Sequence, residues 1–354
     1  MQCSTPDPDA DDELHAPSGS ACHADIDRLL DRDWLLPSPA AQITECGSFD
    51  VLRDDLAHPY VNGNKLRKLD AVWPALRAGP ARHVVTCGGA QSAHLVAVAA
   101  LAAGTRGALA SHLLVRGEAP AAPTGHALYM RLLGGNVRYV PRREYAARGA
   151  MLAAYAVALC APPDGPRPDQ IAVLPEGGAV PGALLGSARL VRWLAGELGA
   201  APRDLVLDCG TGATAAGLAL GVALLGLPWR VVGVEVGGPP GEAARTATGL
   251  LNEAVAEYDL NPGVPDAAQA ALRWVPRGHP RRFGRTLPGD GAAVRAVAAA
   301  TGVVLDPIWT LAAWEAAAAR AAAATVGPAP RQLMLHTGGG LALCGAAQRW
   351  PEQY

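Results

Sequence analysis

DLVLDCGTGATAAGLALGVALLGLPWRVVGVEVGG, residues 204–238, is the stretch from which the fold can be read. The segment DLVLDCG (204–210) has the length of a strand around the apolar LVL and ends in a glycine-rich turn. An uncharged helix is predicted over Ala215–Leu225, and WRVVGVEVGG (229–238) is a second strand. A strand, a crossover helix and a second strand form one βαβ unit, whose two strands run parallel. From Cys209 to Trp229 no residue is charged, a length of about one bilayer span. Repeated glycines interrupt it, so a turn feeding a buried helix is the expected structure, not a membrane segment.

The same alternation extends outward. Strands are predicted at HVVTCGG (83–89), GALASHLLVRG (107–117), NVRYVP (136–141) and IAVLPEGG (171–178). Helices are predicted over Ser92–Ala103, Thr124–Leu133, Glu144–Leu159 and Ala183–Leu198. Two further strand-to-turn units, VVLDPIW (303–309) and RQLMLHTGGG (331–340), flank an alanine-rich helix over Leu311–Ala324. This order predicts an α/β protein with open, mostly parallel sheets. With 354 residues, half of them apolar, the chain is long enough for two domains. Charged residues make up 18% and the net charge is −2, which gives no reason to expect nucleic acid or a membrane surface as partner. The seven cysteines show no C-x-x-C pair and no Cys/His cluster with zinc spacing, so no metal is expected and a reduced, cytoplasmic setting is. The acidic, polar first residues lack the features of a signal peptide. Residues 1–34 are expected to be a loose tail, with a short helix near Asp25–Arg32.

One compositional fact points to chemistry. Of 30 basic residues only Lys65 and Lys68 are lysines, which leaves 28 arginines. Arginine replaces lysine wherever a cation is enough, but its guanidinium stays protonated and cannot act as an amine nucleophile. Lys65 follows the N-G-N turn of Asn62, Gly63 and Asn64 in VLRDDLAHPYVNGNKLRKLD (51–70), placed to aim an amine into a cleft. Burial or a neighbouring cation would lower its pKa and ready it for an imine-forming role. In CGGAQSAHLV (87–96), Ser92 opens a helix; its hydroxyl is either an N-cap or, with the free amides there, part of a carboxylate site. The loop Gly210, Thr211, Gly212, Ala213, Thr214 offers backbone amides at another helix start, a cradle for phosphate that matches neither the Walker pattern nor G-x-G-x-x-G. LHTGGG (335–340) places Thr337, and LDPIWT (305–310) places Trp309 and Thr310, at element junctions where doubly wound sheets gather ligands.

These motifs together resemble the fold-type II pyridoxal 5'-phosphate (PLP) enzymes of the D-cysteine desulfhydrase and 1-aminocyclopropane-1-carboxylate (ACC) deaminase family. The resemblance rests on R-D-D-L (53–56), G-N-K-L-R-K-L (63–69), C-G-G-A-Q-S-A-H (87–94), P-E-G-G (175–178), G-T-G-A-T-A-A-G-L-A (210–219), L-D-P-I-W-T (305–310) and H-T-G-G (336–339). It implies a two-domain fold like that of the tryptophan synthase β chain, with PLP in the interdomain cleft. A large domain would comprise 35–67 and 179–354, a small inserted domain 68–178, and the assembly a homodimer. It implies that Lys65 carries PLP, with Asn64 beside it, that 210–214 holds the cofactor phosphate, and that Gln91, Ser92 and neighbouring amides hold the substrate carboxylate. Thr337, or failing that Thr310, would face the pyridine nitrogen; a threonine there implies a weak electron sink, suited to elimination. Lys68 reads as a helix-surface cation and His94 as a structural histidine beside the site.

The departures are informative. Family members carry Asn where this chain has Ala93, and tyrosines where it has Trp309 and Phe283. The loss of both phenols argues against cyclopropane opening. The basic segment RWVPRGHPRRFGRTLPGD (273–290) is expected to be a solvated loop; the alternative is that Arg281, Arg282 or Arg285 meets an additional acidic group on the substrate. The resulting expectation is a PLP-dependent lyase that removes a β-substituent and ammonia from a small amino acid, with Lys65 and Ser92 as catalytic residues. The alternatives are a β-replacement synthase and a non-catalytic PLP binder.

Overall fold

A computed structural model describes residues 19–61, 63–323 and 330–353 of the chain. Among the described residues ten strands divide between two sheets. The larger has the order β1-β2-β10-β7-β8-β9, formed by β1 (Ile43–Glu45), β2 (Asp50–Leu52), β7 (Arg203–Cys209), β8 (Trp229–Glu235), β9 (Leu272–Pro276) and β10 (Arg331–Leu335). All its neighbours are parallel except β1 with β2. The smaller has the order β5-β4-β3-β6 and is wholly parallel: β3 (His83–Gly89), β4 (Ala110–Arg116), β5 (Asn136–Val140) and β6 (Ile171–Val173).

The deciding stretch folds as its sequence requires. All seven residues of β7 are buried. Leu205 and Leu207 join one apolar cluster, while Val206 joins another with Val232, Val234 and Met334, so both faces of the strand are covered. The helix Ala213–Leu224 between β7 and β8 is buried throughout, which explains its lack of charge. Among the described residues no helix is long and apolar enough to cross a membrane. The core of the smaller sheet joins Val84, Leu113 and Val115 to Leu66, Leu69 and Trp73 of the helix α2 (Asn64–Ala78) and to Leu95–Ala99 of α3 (Ala93–Ala103).

Several expectations need correction. The described part of the supposed tail contains α1 (Gly19–Leu30), whose Ile26 and Leu29 are buried in the core of the larger sheet, so the helix begins earlier and packs more firmly than predicted. VVLDPIW forms no strand; Asp306 turns inward there and caps the next helix, Thr310–Ala323. The predicted end of that helix, Ala324, lies outside the described residues. Strand β6 stops at Val173, and Glu176–Gly178 form a 3₁₀ turn. The helix expected over Glu144–Leu159 is two, Arg142–Tyr145 and Arg148–Cys160.

Candidate active site

The residues singled out above converge on the carboxyl ends of β2, β3, β7 and β10. R-D-D-L is a scaffold for the lysine turn. Arg53 pairs with Asp55 at 2.8 Å, and Asp54 pairs with Arg67 at 2.7 Å, both of the latter buried. The Asp54 carbonyl accepts the Gly63 amide at 2.8 Å, and the Asn64 amide donates to the Thr337 carbonyl at 3.1 Å. Gly63 has φ +66°, and a Cβ there would stand 1.9 Å from the Thr337 oxygen, so only glycine allows this seating. Asn62 lies outside the described residues. Lys65 Nζ donates to Asn64 Oδ1 at 2.7 Å, and Asn64 Nδ2 donates to Thr214 Oγ1 at 3.2 Å. Loss of hydration lowers the Lys65 pKa, opposed by Asp208 and Cys209. An amine held in this way deprotonates more readily than a lysine in water.

The glycine-rich loop is tied to the lysine turn through the Asn64–Thr214 bond. Gly212 has φ +79° and precedes the helix starting at Ala213, where the first ladder bond is from Ala216 to the Gly212 carbonyl. The amides before Ala216 point out of the helix start, where its dipole favours an anion. Lys68 belongs here as well. It is no surface cation: it is 3% exposed, and its Nζ donates to the Gly177 carbonyl at 3.1 Å and to Thr211 Oγ1 at 3.3 Å. Burial, reinforced by Lys65, holds its pKa well below the ordinary value. The indole of Trp309 closes over the loop, with a ring carbon 3.0 Å from where a Gly210 Cβ would sit, and Phe283 meets that indole edge-on at 5.1 Å.

On the other side, Ser92 caps α3 by accepting the Leu95 amide at 3.4 Å. Ala93 is the first helical residue. The Gln91 amide does not point into a carboxylate site; it is engaged at both ends, by the Thr124 carbonyl and the His126 amide. His94 is buried, pairs through Nε2 with Thr86 Oγ1 at 2.9 Å, and keeps Nδ1 without a partner. Burial, helped by Lys65 and Lys68, pushes its pKa down to about 3, so it is neutral at physiological pH. His126, which opens α4 (His126–Leu132), was not singled out from sequence. It is buried with both ring nitrogens unpartnered, and burial together with Lys65 pushes its pKa down to about 4.

The two candidate threonines have different surroundings. Thr310 is wholly buried; its hydroxyl donates to Asp306 Oδ2 at 3.0 Å and accepts the Asp306 amide at 2.7 Å, which makes it part of a helix cap and leaves nothing for a cofactor. Thr337 Oγ1 donates to Asp208 Oδ1 at 2.6 Å. Asp208 was also missed from sequence. It is buried between Leu207 and Cys209, and burial pushes its pKa up to about 6. Of the basic segment, Arg281 is paired with the buried Asp290, and Arg277 is tied to the carbonyls of Pro307 and Ile308, so neither is free for a substrate anion. Arg282 and Arg285 are exposed.

Comparison with known proteins decides the family. The family model described as pyridoxal-phosphate dependent enzyme matches residues 36–338. The chain belongs to the pyridoxal-phosphate-dependent enzymes. This PLP-dependent enzyme is 38% identical over 335 residues to a mitochondrial protein of Oryza sativa subsp. japonica named as a D-cysteine desulfhydrase, covering 86% of this chain and 81% of that one. It is 30% identical over 264 residues to an ACC deaminase of Mesorhizobium japonicum, covering 70% and 73%. A crystal structure described as an ACC deaminase homologue superposes with a TM-score of 0.78 at 25% identity, over 94% of this chain and all of the other. The fold is therefore the two-sheet, fold-type II architecture. The residues present fit PLP: a desolvated amine at Lys65, a cradle of outward amides and the Lys68 amine for a phosphate, and buried polar groups at Thr337, Asp208 and His94.

Proposed function

We propose that this enzyme is a PLP-dependent lyase that releases ammonia and a 2-oxo acid from a small amino acid by α,β-elimination, in the manner of a D-cysteine desulfhydrase. The observation that carries the reading is the Lys65 amine, bonded to Asn64 Oδ1 at 2.7 Å, with Asn64 Nδ2 in turn reaching Thr214 Oγ1 of the 210–214 loop at 3.2 Å. Bound PLP supplies an electron sink conjugated to the α-carbon of the substrate amino acid. The chain supplies the rest. The amides of 210–214 and Lys68 Nζ hold the phosphate, and Asn64 keeps Lys65 in position through its bond to Thr214 in that same loop. Lys65 Nζ, with its lowered pKa, takes the proton from the α-carbon. Ser92 and the amides at the start of α3 receive the substrate carboxylate at the positive end of the helix. Trp309 and Phe283 roof the cleft and restrict it to short side chains; they bear no phenol for ring opening, so ACC is a poor substrate.

The same reading takes residues 68–178 as a small inserted domain. It is supported by the four strands of the smaller sheet, which lie within 83–173. Homodimeric assembly and a cytoplasmic setting complete it, the latter supported by free cysteines at 46, 87, 160, 209 and 344. The test is to load the protein with PLP and offer D- and L-amino acids with β-leaving groups while assaying ammonia and 2-oxo acid. Borohydride reduction followed by peptide mapping should label Lys65. Labelling elsewhere, or no 2-oxo acid from any small amino acid, refutes the proposal.

A further inference from the structure

We propose that Asp208 fixes the protonation state of the cofactor's pyridine nitrogen, acting through Thr337. The inference rests on the proposed function and on the expectation, implied by the family resemblance, that Thr337 faces that nitrogen. A threonine hydroxyl has one proton. Here it is given to Asp208 Oδ1 across 2.6 Å, the geometry of a strong bond to a carboxylate. The oxygen is then left with lone pairs only. Toward a pyridine nitrogen it acts as an acceptor, and an acceptor stabilises the N–H⁺ form. The proton comes from solvent when the cofactor binds, and no other bond changes. A threonine with no such partner is free to turn its proton toward the nitrogen and favour the neutral ring, which was the expectation from the sequence.

The surroundings support the assignment. Asp208 lies in the otherwise apolar end of β7, 5% exposed, where an acid without a task is costly. The groups that face it are Thr337 from the turn after β10, Lys65 and Lys68 from α2, Cys209 at the end of β7 and Asp306 from the segment before the Thr310 helix. Lys65 favours its ionised form and Asp306 opposes it, while burial leaves its pKa at about 6, so the carboxylate predominates at neutral pH. Thr337 is itself held in place, because its carbonyl receives the Asn64 amide. Asp208 is thus a positioning residue. Its consequence is a more electron-withdrawing ring than a lone threonine provides.

The test uses holoenzyme reconstituted with PLP labelled with ¹⁵N at the pyridine nitrogen, read by ¹⁵N NMR. The wild type is expected to show the pyridinium resonance at neutral pH. Asp208→Ala, which removes the acceptor, is expected to show the free-base resonance, and Thr337→Ser that of the wild type. A free-base resonance in the wild type overturns the inference, as does a pyridinium resonance in Asp208→Ala. If Asp208→Ala fails to take up cofactor, the wild-type resonance followed through alkaline pH decides: a proton retained beyond the titration of free PLP supports the inference, and one lost with it overturns it. Borohydride labelling of Lys65 in the same samples separates the two claims. With labelling intact, an unchanged resonance removes only the role of Asp208; without it, the proposed function falls instead.

Discussion

Removing one partner of the Asp54–Arg67 pair should cost far more than exposed ion pairs do. Arg67 makes three hydrogen bonds to the Asp54 carboxylate, from Nε at 3.2 Å to each oxygen and from Nη2 at 2.7 Å. Both side chains are almost inaccessible, at 2% and 3%. Arg67→Met strands a carboxylate without water, a loss of about 3–5 kcal/mol, and Asp54→Asn strands the guanidinium at a similar cost. The double variant leaves no buried charge, so its cost should fall short of the sum of the single costs by about 2 kcal/mol or more. Urea unfolding of cofactor-free protein, followed by tryptophan fluorescence, measures all four corners of the cycle. Because Arg67 lies two residues beyond Lys65 on α2, and Asp54 also receives the Gly63 amide, each single variant should also weaken PLP uptake. Single losses below about 1 kcal/mol, the range of solvated pairs, would refute the reasoning, as would strict additivity.

Three other substitutions probe the site. Gly63→Ala forces a side chain against the Thr337 carbonyl at φ +66° and breaks the Asn64–Thr337 bond, for about 2–4 kcal/mol of strain and lost hydrogen bonding; a urea midpoint equal to that of the wild type would contradict it. His126 has a folded pKa of about 4, below its unfolded value, so its contribution is intact above pH 6.5 and is lost as the pH falls toward 4. Between neutral pH and about pH 5 the cofactor-free wild type should lose about 2 kcal/mol more than His126→Gln, and equal losses would show the ring to be solvated. Trp309→Ala opens the space over Gly210 and Gly237, so kcat/KM for a larger side chain should rise by about tenfold relative to the smallest substrate; a uniform change across substrates would mean that the indole does not bound the pocket.

The sequence reveals what depends on local pattern. β7 and β8 declare themselves through short apolar segments that run into glycine-rich turns. Lys65 stands out because arginine has taken every other basic position but one. What depends on tertiary placement is harder to read. β1 has three residues and pairs antiparallel at a sheet edge, too short for periodicity to register. Asp208 looks like one more acid near a turn, because nothing local says that Thr337, 129 residues away, donates to it. Lys68 was misread although a signal existed: three residues past Lys65, it shares the same helix face and must point toward the same cleft. Arg281 fits neither the solvated-loop reading nor the anion-site alternative. A cluster of arginines suggests an anion site, but Asp290 nine residues on already neutralises this one.

The scarcity of lysine has a practical consequence. A protease that cleaves only after lysine has two targets in the chain, at 65 and 68, and both lie within the packed first turns of α2. The folded protein should resist such an enzyme completely, while the opened chain yields two large fragments and a tripeptide. Cleavage therefore reports directly on how often this cleft comes apart, and cofactor loading should slow it in proportion to the occupancy of Lys65.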